Sequence, residues 1–232
     1  MKQNPHYRTA QLSVFDSRGL PARRVDYLRQ NGLLEALITC QRYDTHGHWV
    51  AQWDPRLSGV LPNLATVYGL SGQPIKVDSV DAGWRISLAG VDGEIRQRWE
   101  QRGSHWRIAY DNQLREVAID ENGQPNVETF TYADASCAPD CNIRGQLIRQ
   151  VDPSGVLEFH SFSLHGQPLH DSRTITGAGT FSSQRTYNPL GLVLTQTDAG
   201  DHQQQLQYDI AGQLQQVQLR LTPTGSWQPV LT

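Results

Sequence analysis

Polar and apolar residues alternate in several short stretches of this chain, which predicts β-strands. Gln146–Val151 and Gln205–Tyr208 follow a period of two, and Gln213–Leu219 follows it with one slip. In a strand this period puts alternate side chains on opposite faces, so one face is buried and the other is wet. Helical periodicity is almost absent. The best helix candidate, Arg23–Ile38, fits a 3.6-residue period only loosely and is interrupted by Gly32, so we interpret it as strand.

A five-residue motif separates these stretches: a large apolar residue, Asp, two free positions and Gly. Asp at the first position of a β-turn accepts hydrogen bonds from the backbone that follows, and Gly at the fourth adopts a φ that other residues resist. Each copy therefore predicts a strand–turn–strand hairpin. The clearest copies place their turn residues at Asp16 and Gly19, Asp44 and Gly47, Asp120 and Gly123, Asp152 and Gly155, and Asp209 and Gly212. Weaker copies use Asn188 or Ser163 in place of Asp.

A repeat of this kind predicts an all-β fold, in which antiparallel hairpins form a curved, open sheet whose terminal strands lack a neighbour. We expect the turn carboxylates to be spaced along one edge of that sheet. General acid–base catalysis needs carboxylates that converge in a cleft, so this arrangement indicates structural turns and no enzyme.

Composition excludes two classes of partner. Among 232 residues, 20 are Lys or Arg and 23 are Asp or Glu, and this net charge of −3 disfavours nucleic-acid binding. No segment approaches the roughly 18 apolar residues of a membrane-spanning helix, so we expect no membrane insertion. The N-terminus has no apolar core typical of a secretory signal peptide.

Three short motifs could carry chemistry, and we interpret each as structural. Cys137 and Cys141 have zinc-ligand spacing but no second pair, so a loop disulfide or a plain turn is favoured. His46 and His48 flank the glycine of a repeat turn, where both imidazoles would face water. The segment Gly177–Gly179 lacks the Lys of a phosphate-binding loop, and we interpret it as a flexible connection. We therefore predict no catalytic, cofactor or metal site.

Two further features concern binding and aggregation. Trp49 and Trp53 lie four residues apart, so they would share one face of a strand and could stack on sugars. The same residues could equally be sheet filler. The segment Gln203–Gln218 contains eight glutamines, which we interpret as the polar face of a hairpin and not as an aggregation-prone edge.

The repeated Tyr-Asp-x-x-Gly hairpins resemble the RHS-repeat, or YD-repeat, family. The order of five landmarks further resembles the N-terminal part of the C component (TccC-like) of bacterial insecticidal toxin complexes. The landmarks are Val14–Leu20 with Arg24–Tyr27, Arg42–Gly47 and Asp54–Leu57, then Asp78–Gly83, Asn142–Gln146, Val151–Val156, and Leu194–Ala199 with Tyr208–Leu214. The resemblance covers roughly residues 12 to 221.

The resemblance implies a structural role. In that family the C component joins a B component in a hollow shell of spiralling strands that encloses a toxic C-terminal segment, and a pore-forming A component delivers the toxin. The expected partners are thus the B component and the remainder of the C component, with the A component involved indirectly. Localisation would be extracellular, after assembly in the bacterial cytoplasm. Family members are several times longer, and their self-cleaving site and toxin match no residue here.

Three functions follow as hypotheses. The leading one is a wall segment of a toxin-encapsulating shell, and the others are a stand-alone module that binds glycan or protein and a non-functional remnant of a truncated gene. We expect an N-terminal tail at 1–11, a repeat domain at 12–221, and a tail or truncation point at 222–232.

Overall fold

A computed structural model describes residues 9–30, 32–57, 61–137, 139–221 and 225–231. These residues form nineteen β-strands and one short 3-10 helix at Pro139–Cys141. Within them, no helix combines the length and the apolar character that crossing a bilayer requires. The chain divides into two compact units. Unit 1 comprises residues up to Ile108 with Glu121–Gly123, and unit 2 comprises Ala109–Asp120 and Gln124–Thr232.

In unit 1, consecutive strands pair antiparallel as an up-and-down meander, from β1 with β2 to β8 with β9. The strands are β1 (Leu12–Phe15), β2 (Pro21–Gln30), β3 (Leu33–Tyr43), β4 (Trp49–Trp53), β5 (Leu64–Tyr68), β6 (Pro74–Ser79), β7 (Gly83–Ala89), β8 (Ile95–Glu100) and β9 (His105–Tyr110), whose last two residues belong to unit 2. Within this unit β1 is paired on one side only, with β2.

In unit 2 the same meander runs from β11 to β19. The strands are β10 (Glu116–Glu121), β11 (Gln124–Tyr132), β12 (Leu147–Asp152), β13 (Gly155–Phe162), β14 (Pro168–Ile175), β15 (Gly179–Tyr187), β16 (Val193–Thr197), β17 (Gln203–Tyr208), β18 (Leu214–Arg220) and β19 (Gln228–Leu231). Within this unit β19 is paired on one side only, with β18.

This architecture confirms the predicted all-β class of antiparallel hairpins in an open sheet. The segment Arg23–Ile38 is strand, as interpreted, and it spans the β2–β3 hairpin. The domain boundaries stay a prediction. Residues 1–8 of the expected N-terminal tail lie outside the described residues, whereas β19 occupies 228–231 of the expected C-terminal segment.

The hydrophobic core is thin. Among the described residues, the buried apolar side chains are Val25, Ala51, Ala133, Phe162 and Val217, and no large side chain is fully buried. Large apolar side chains such as Leu33, Leu164 and Leu190 remain exposed. Each strand therefore buries its apolar side mainly against its immediate neighbours, and much apolar surface stays in solvent.

Candidate functional site

The predicted turns share one hydrogen-bond scheme, which the Asp44 turn shows in full. The Gly47 N–H donates to the Asp44 carbonyl (3.3 Å), and the Asp44 N–H donates to the His48 carbonyl (3.0 Å). Asp44 Oδ1 accepts the backbone N–H groups of His46 (2.9 Å) and His48 (2.8 Å). Gly47 has a φ of 89°, a region that favours glycine. One carboxylate oxygen thus closes the whole turn.

The same scheme holds the turns that begin at Asp16 and Asp209. It also holds the weaker copy at Asn188, whose amide oxygen replaces the carboxylate. A further turn begins at Asp111 and was not predicted, because Leu114 stands where glycine is expected and takes a φ of 59°. The side-chain acceptor, more than the glycine, is what these turns have in common.

Two of the five predicted turns have a different geometry. After Asp120 the strand continues to Glu121, and the turn is formed by Asn122 and Gly123 with φ values of 52° and 85°. In the second turn, Asp152 and Gly155 are the last paired residues of β12 and β13. Asp152 Oδ1 accepts hydrogen bonds from the N–H groups of Ser154 and Gly155. Both are shorter hairpins with a two-residue loop.

The turn carboxylates do not follow one edge, contrary to our expectation. In an up-and-down antiparallel meander, successive turns alternate between the two ends of the strands. The Asp152 turn joins β12 to β13 and the Asp209 turn joins β17 to β18, so they lie at opposite ends of unit 2.

Tyrosine hydroxyls connect turns at the same end of the sheet. Tyr43 donates to the Pro21 carbonyl (3.2 Å), Tyr68 to the Trp49 carbonyl (3.1 Å) and Tyr187 to the Pro168 carbonyl (3.1 Å). In each case the acceptor lies just beyond the preceding turn at that end. We call these three contacts the tyrosine links. The sequence reasoning gave the aromatic residue before Asp only the role of ending a strand.

Polar side chains reinforce the same connections. Arg18 Nη1 donates to the Asp44 carbonyl (2.6 Å), and Gln167 Nε2 donates to the Gly191 carbonyl (2.8 Å). The His48 ring stacks on Tyr68, with centroids 4.6 Å apart. Within each unit, a turn is therefore fixed by its own backbone and by the next turn at its end.

Large apolar side chains project from several of these turns, and we call them the turn tips: Leu70, Val91, Leu164, Leu190 and Ile210. Their exposed fractions are 111%, 101%, 90%, 78% and 105%, respectively. Leu70 and Val91 share one end of unit 1, and the other three share one end of unit 2. Exposed apolar residues arranged along one end are typical of a surface that meets another protein segment.

Hydrogen bonds and ion pairs favour the ionised form of three of the turn carboxylates, Asp16, Asp111 and Asp152. The Leu20 N–H, followed by the Arg18 side chain, lowers the pKa of Asp16. The Arg115 N–H and then its guanidinium lower the pKa of Asp111 in the same way. The Arg173 guanidinium, 2.6 Å from Asp152, holds the pKa of that carboxyl at about 2. Carboxylates of this kind are hydrogen-bond acceptors and are poorly suited to proton transfer.

The other candidates have structural surroundings. Cys137 and Cys141 are free thiols; Cys141 is the last residue of the 3-10 helix, and Cys137 lies two residues before its start. The Gly177 segment forms a hairpin turn in which the Ala178 N–H donates to the Ile175 carbonyl. The Gln-rich strands β17 and β18 pair with each other and with β16 and β19. They are therefore interior strands of unit 2.

The tryptophans are mostly half-buried, and several ring faces are already covered. Trp49 and Trp53 share a face of β4 with buried Ala51 between them. Trp99 stacks on His105 with centroids 4.9 Å apart, and Arg98 lies 4.3 Å from the centroid of Trp106. Occupied faces of this kind disfavour sugar stacking at Trp99 and Trp106.

One predicted turn also gathers metal-ligating side chains. Asp44, His46 and His48 bring one ligand atom each within 4.8 Å of one another. We expected both imidazoles to face water, and this expectation is wrong for His48. Its ring is half-buried because it packs on Tyr68.

Comparison with known proteins gives relatives in sequence and in structure, although no family model matches. The toxin subunits YenC1 and YenC2 of Yersinia entomophaga are 30% and 28% identical over 93% and 89% of this chain. A crystal structure of a TcdB2-TccC3-Cdc42 complex matches 97% of the chain, with a TM-score of 0.82 and 28% identity. These matches confirm the predicted resemblance to the TccC-like region of the RHS repeats. The chain spans 26% of the length of the two toxin subunits and 12% of the matched structure.

Proposed function

Because nearly the whole chain matches toxin-complex subunits in sequence and a TcdB2-TccC3 complex in fold, we propose that it is a wall segment of a toxin-encapsulating RHS shell. In this role it pairs with the remainder of a C component and assembles with a B component, and the A component takes part only indirectly. It would act outside the cell, after assembly in the bacterial cytoplasm. It would supply no catalysis.

The observation that carries this proposal is the amount of surface that the sheet leaves exposed. Among the described residues only five apolar side chains are buried, whereas many large ones, such as Leu33 and Leu164, stay exposed. The edge strands β1 and β19 are each paired on one side within their units. Exposed edges and apolar patches promote association with another chain. A wall segment gains the missing neighbours from its own shell.

Co-expression with a B component and the following part of a C component tests the proposal. We expect the chain alone to aggregate and the three-part mixture to yield one soluble complex on size-exclusion chromatography. A soluble monomer that binds neither partner would contradict the proposal and favour the stand-alone module. Continued repeat-coding DNA after Thr232, together with no assembly, would instead favour a remnant.

Two matched double variants locate the contact. Leu70→Ser with Val91→Ser changes two turn tips, whereas Leu61→Ser with Val80→Ser changes two exposed apolar residues at the opposite end of the same unit. We expect the first pair to weaken co-elution by at least tenfold and the second to leave it within twofold. Equal loss from both pairs would show that the turn tips are not the contact.

A further inference from the structure

We propose that the β3–β4 turn binds a zinc ion through Asp44, His46 and His48. Two imidazoles and one carboxylate are a ligand set that zinc accepts, and water completes its four-coordinate shell. The proposal is independent of the role in a shell, because it concerns one turn of unit 1.

The distances are close to those of a metal site. Around a tetrahedral zinc ion, ligand atoms lie about 3.4 Å apart, since each is about 2.0–2.1 Å from the metal. His48 Nδ1 lies 3.0 Å from Asp44 Oδ2 in a hydrogen bond, whose proton zinc would displace, and all three ligand atoms lie within 4.8 Å of one another. Closing the remaining gap requires a movement of at most about 1.4 Å. The exposed His46 side chain can make this movement by changing its rotamer.

The turn presents two of the three ligands in a fixed arrangement. Asp44 Oδ1 is occupied by the N–H groups of His46 and His48, so Oδ2 is directed to the cluster. The His48 ring is held against Tyr68 with 19° between the ring planes. Fixing ligands before the ion arrives reduces the entropy lost on binding.

The local charge also differs between this turn and several equivalent ones. Asp16, Asp54 and Asp111 each pair with an arginine two or four residues later, at 2.9, 2.5 and 2.7 Å. At the same two positions after Asp44 the chain has His46 and His48. The nearby Arg18 reaches the Asp44 carbonyl and is paired with Asp16. A divalent cation at Asp44 would supply the positive charge that an arginine supplies at these three turns. The Asp209 turn has Ala211 and Gln213 at the same positions and therefore has neither an arginine nor further ligands.

Isothermal titration with zinc chloride at neutral pH, after treatment with a chelator, tests the proposal on the chain in its soluble form, which is the co-expressed complex if the chain alone aggregates. We expect one zinc ion per chain, and at least tenfold weaker binding in His46→Ala and in His48→Ala. Two control variants have a histidine at an equivalent turn position without the second one: His165→Ala, two residues after Ser163, and His202→Ala, four residues after Asp198. Both controls should bind zinc within twofold of the unchanged chain.

Other outcomes would overturn the assignment. Binding that survives His46→Ala but disappears in Cys137→Ser with Cys141→Ser would place the ion at the thiols. Absence of zinc binding to the unchanged chain would refute the proposal outright. If His48→Ala disturbs the turn by circular dichroism, His46→Ala decides alone, because His46 is exposed. As an independent measurement, cobalt(II) in place of zinc should give visible absorption that is lost in the same two variants.

Discussion

The tyrosine links predict that removing a single hydroxyl lowers the stability of the strands next to it. Tyr68→Phe removes the donor to the Trp49 carbonyl at 3.1 Å and keeps the ring that stacks on His48. A hydrogen bond of this kind contributes about 1 kcal/mol net. In a meander each strand is stabilised mainly by its neighbours, so we expect the loss to be local. At about 1.4 kcal/mol per factor of ten, amides of β4 and β5 should exchange about fivefold faster.

Hydrogen exchange followed by mass spectrometry measures this effect, with Tyr208→Phe as the matched control. Tyr208 precedes Asp209 as Tyr187 precedes Asn188, but within the described residues its hydroxyl donates no hydrogen bond. We expect exchange around Tyr208 to stay within twofold in that control. Equal acceleration in both variants, or none in Tyr68→Phe, would refute the role assigned to the links.

Three further changes test the turns themselves. Gly155→Ala would put a Cβ 1.9 Å from the Thr174 carbonyl oxygen and should cost about 2–3 kcal/mol in local stability, measured by hydrogen exchange on the soluble complex. Gly123→Ala, where a Cβ meets nothing within 4 Å, should cost about 1 kcal/mol from its φ alone. Equal costs would contradict the steric argument. Leu114→Gly should stabilise the Asp111 turn by about 0.5–1 kcal/mol in the same assay, because it relieves a positive φ at a partly exposed side chain; a loss of stability would show that the leucine contributes packing there. Asp152 has a folded-state pKa of about 2, below its unfolded value of about 3.8, so its ion pair with Arg173 stabilises the protein above pH 4 and this contribution is lost as pH falls from 4 to 2. Asp152→Asn should flatten that part of the pH–stability profile, and an unchanged profile would refute the assignment.

The sequence predicts the strands of this fold well because the relevant information is local. Period-two alternation and an acceptor five residues before the next strand, as at Asp16 and Asp209, are properties of neighbouring residues. The Asp111 turn escaped prediction because Leu114 takes a glycine conformation that its surroundings impose. At Asn122 and Pro153 the five residues of the motif form a two-residue hairpin loop in place of the longer turn. The motif is compatible with both loop lengths, so it did not predict which one forms.

The candidate site was harder to predict because it depends on contacts between turns. Tyr68 reaches Trp49 across 19 residues, and His48 packs on Tyr68 across 20, so neither contact follows from local spacing. The sequence placed His46 and His48 correctly on a turn. It could not show that the carboxylate of that turn, Asp44, points at one of them.

The up-and-down order of the strands has a kinetic consequence. Every strand within unit 1 pairs with the one made just before it, so no contact in the meander waits for a distant part of the chain. Chains with such short-range contacts close small loops and reach their topology quickly. During synthesis, each hairpin that leaves the ribosome can therefore pair with strands that have already formed. Only the outer edge of the newest strand is then unpaired.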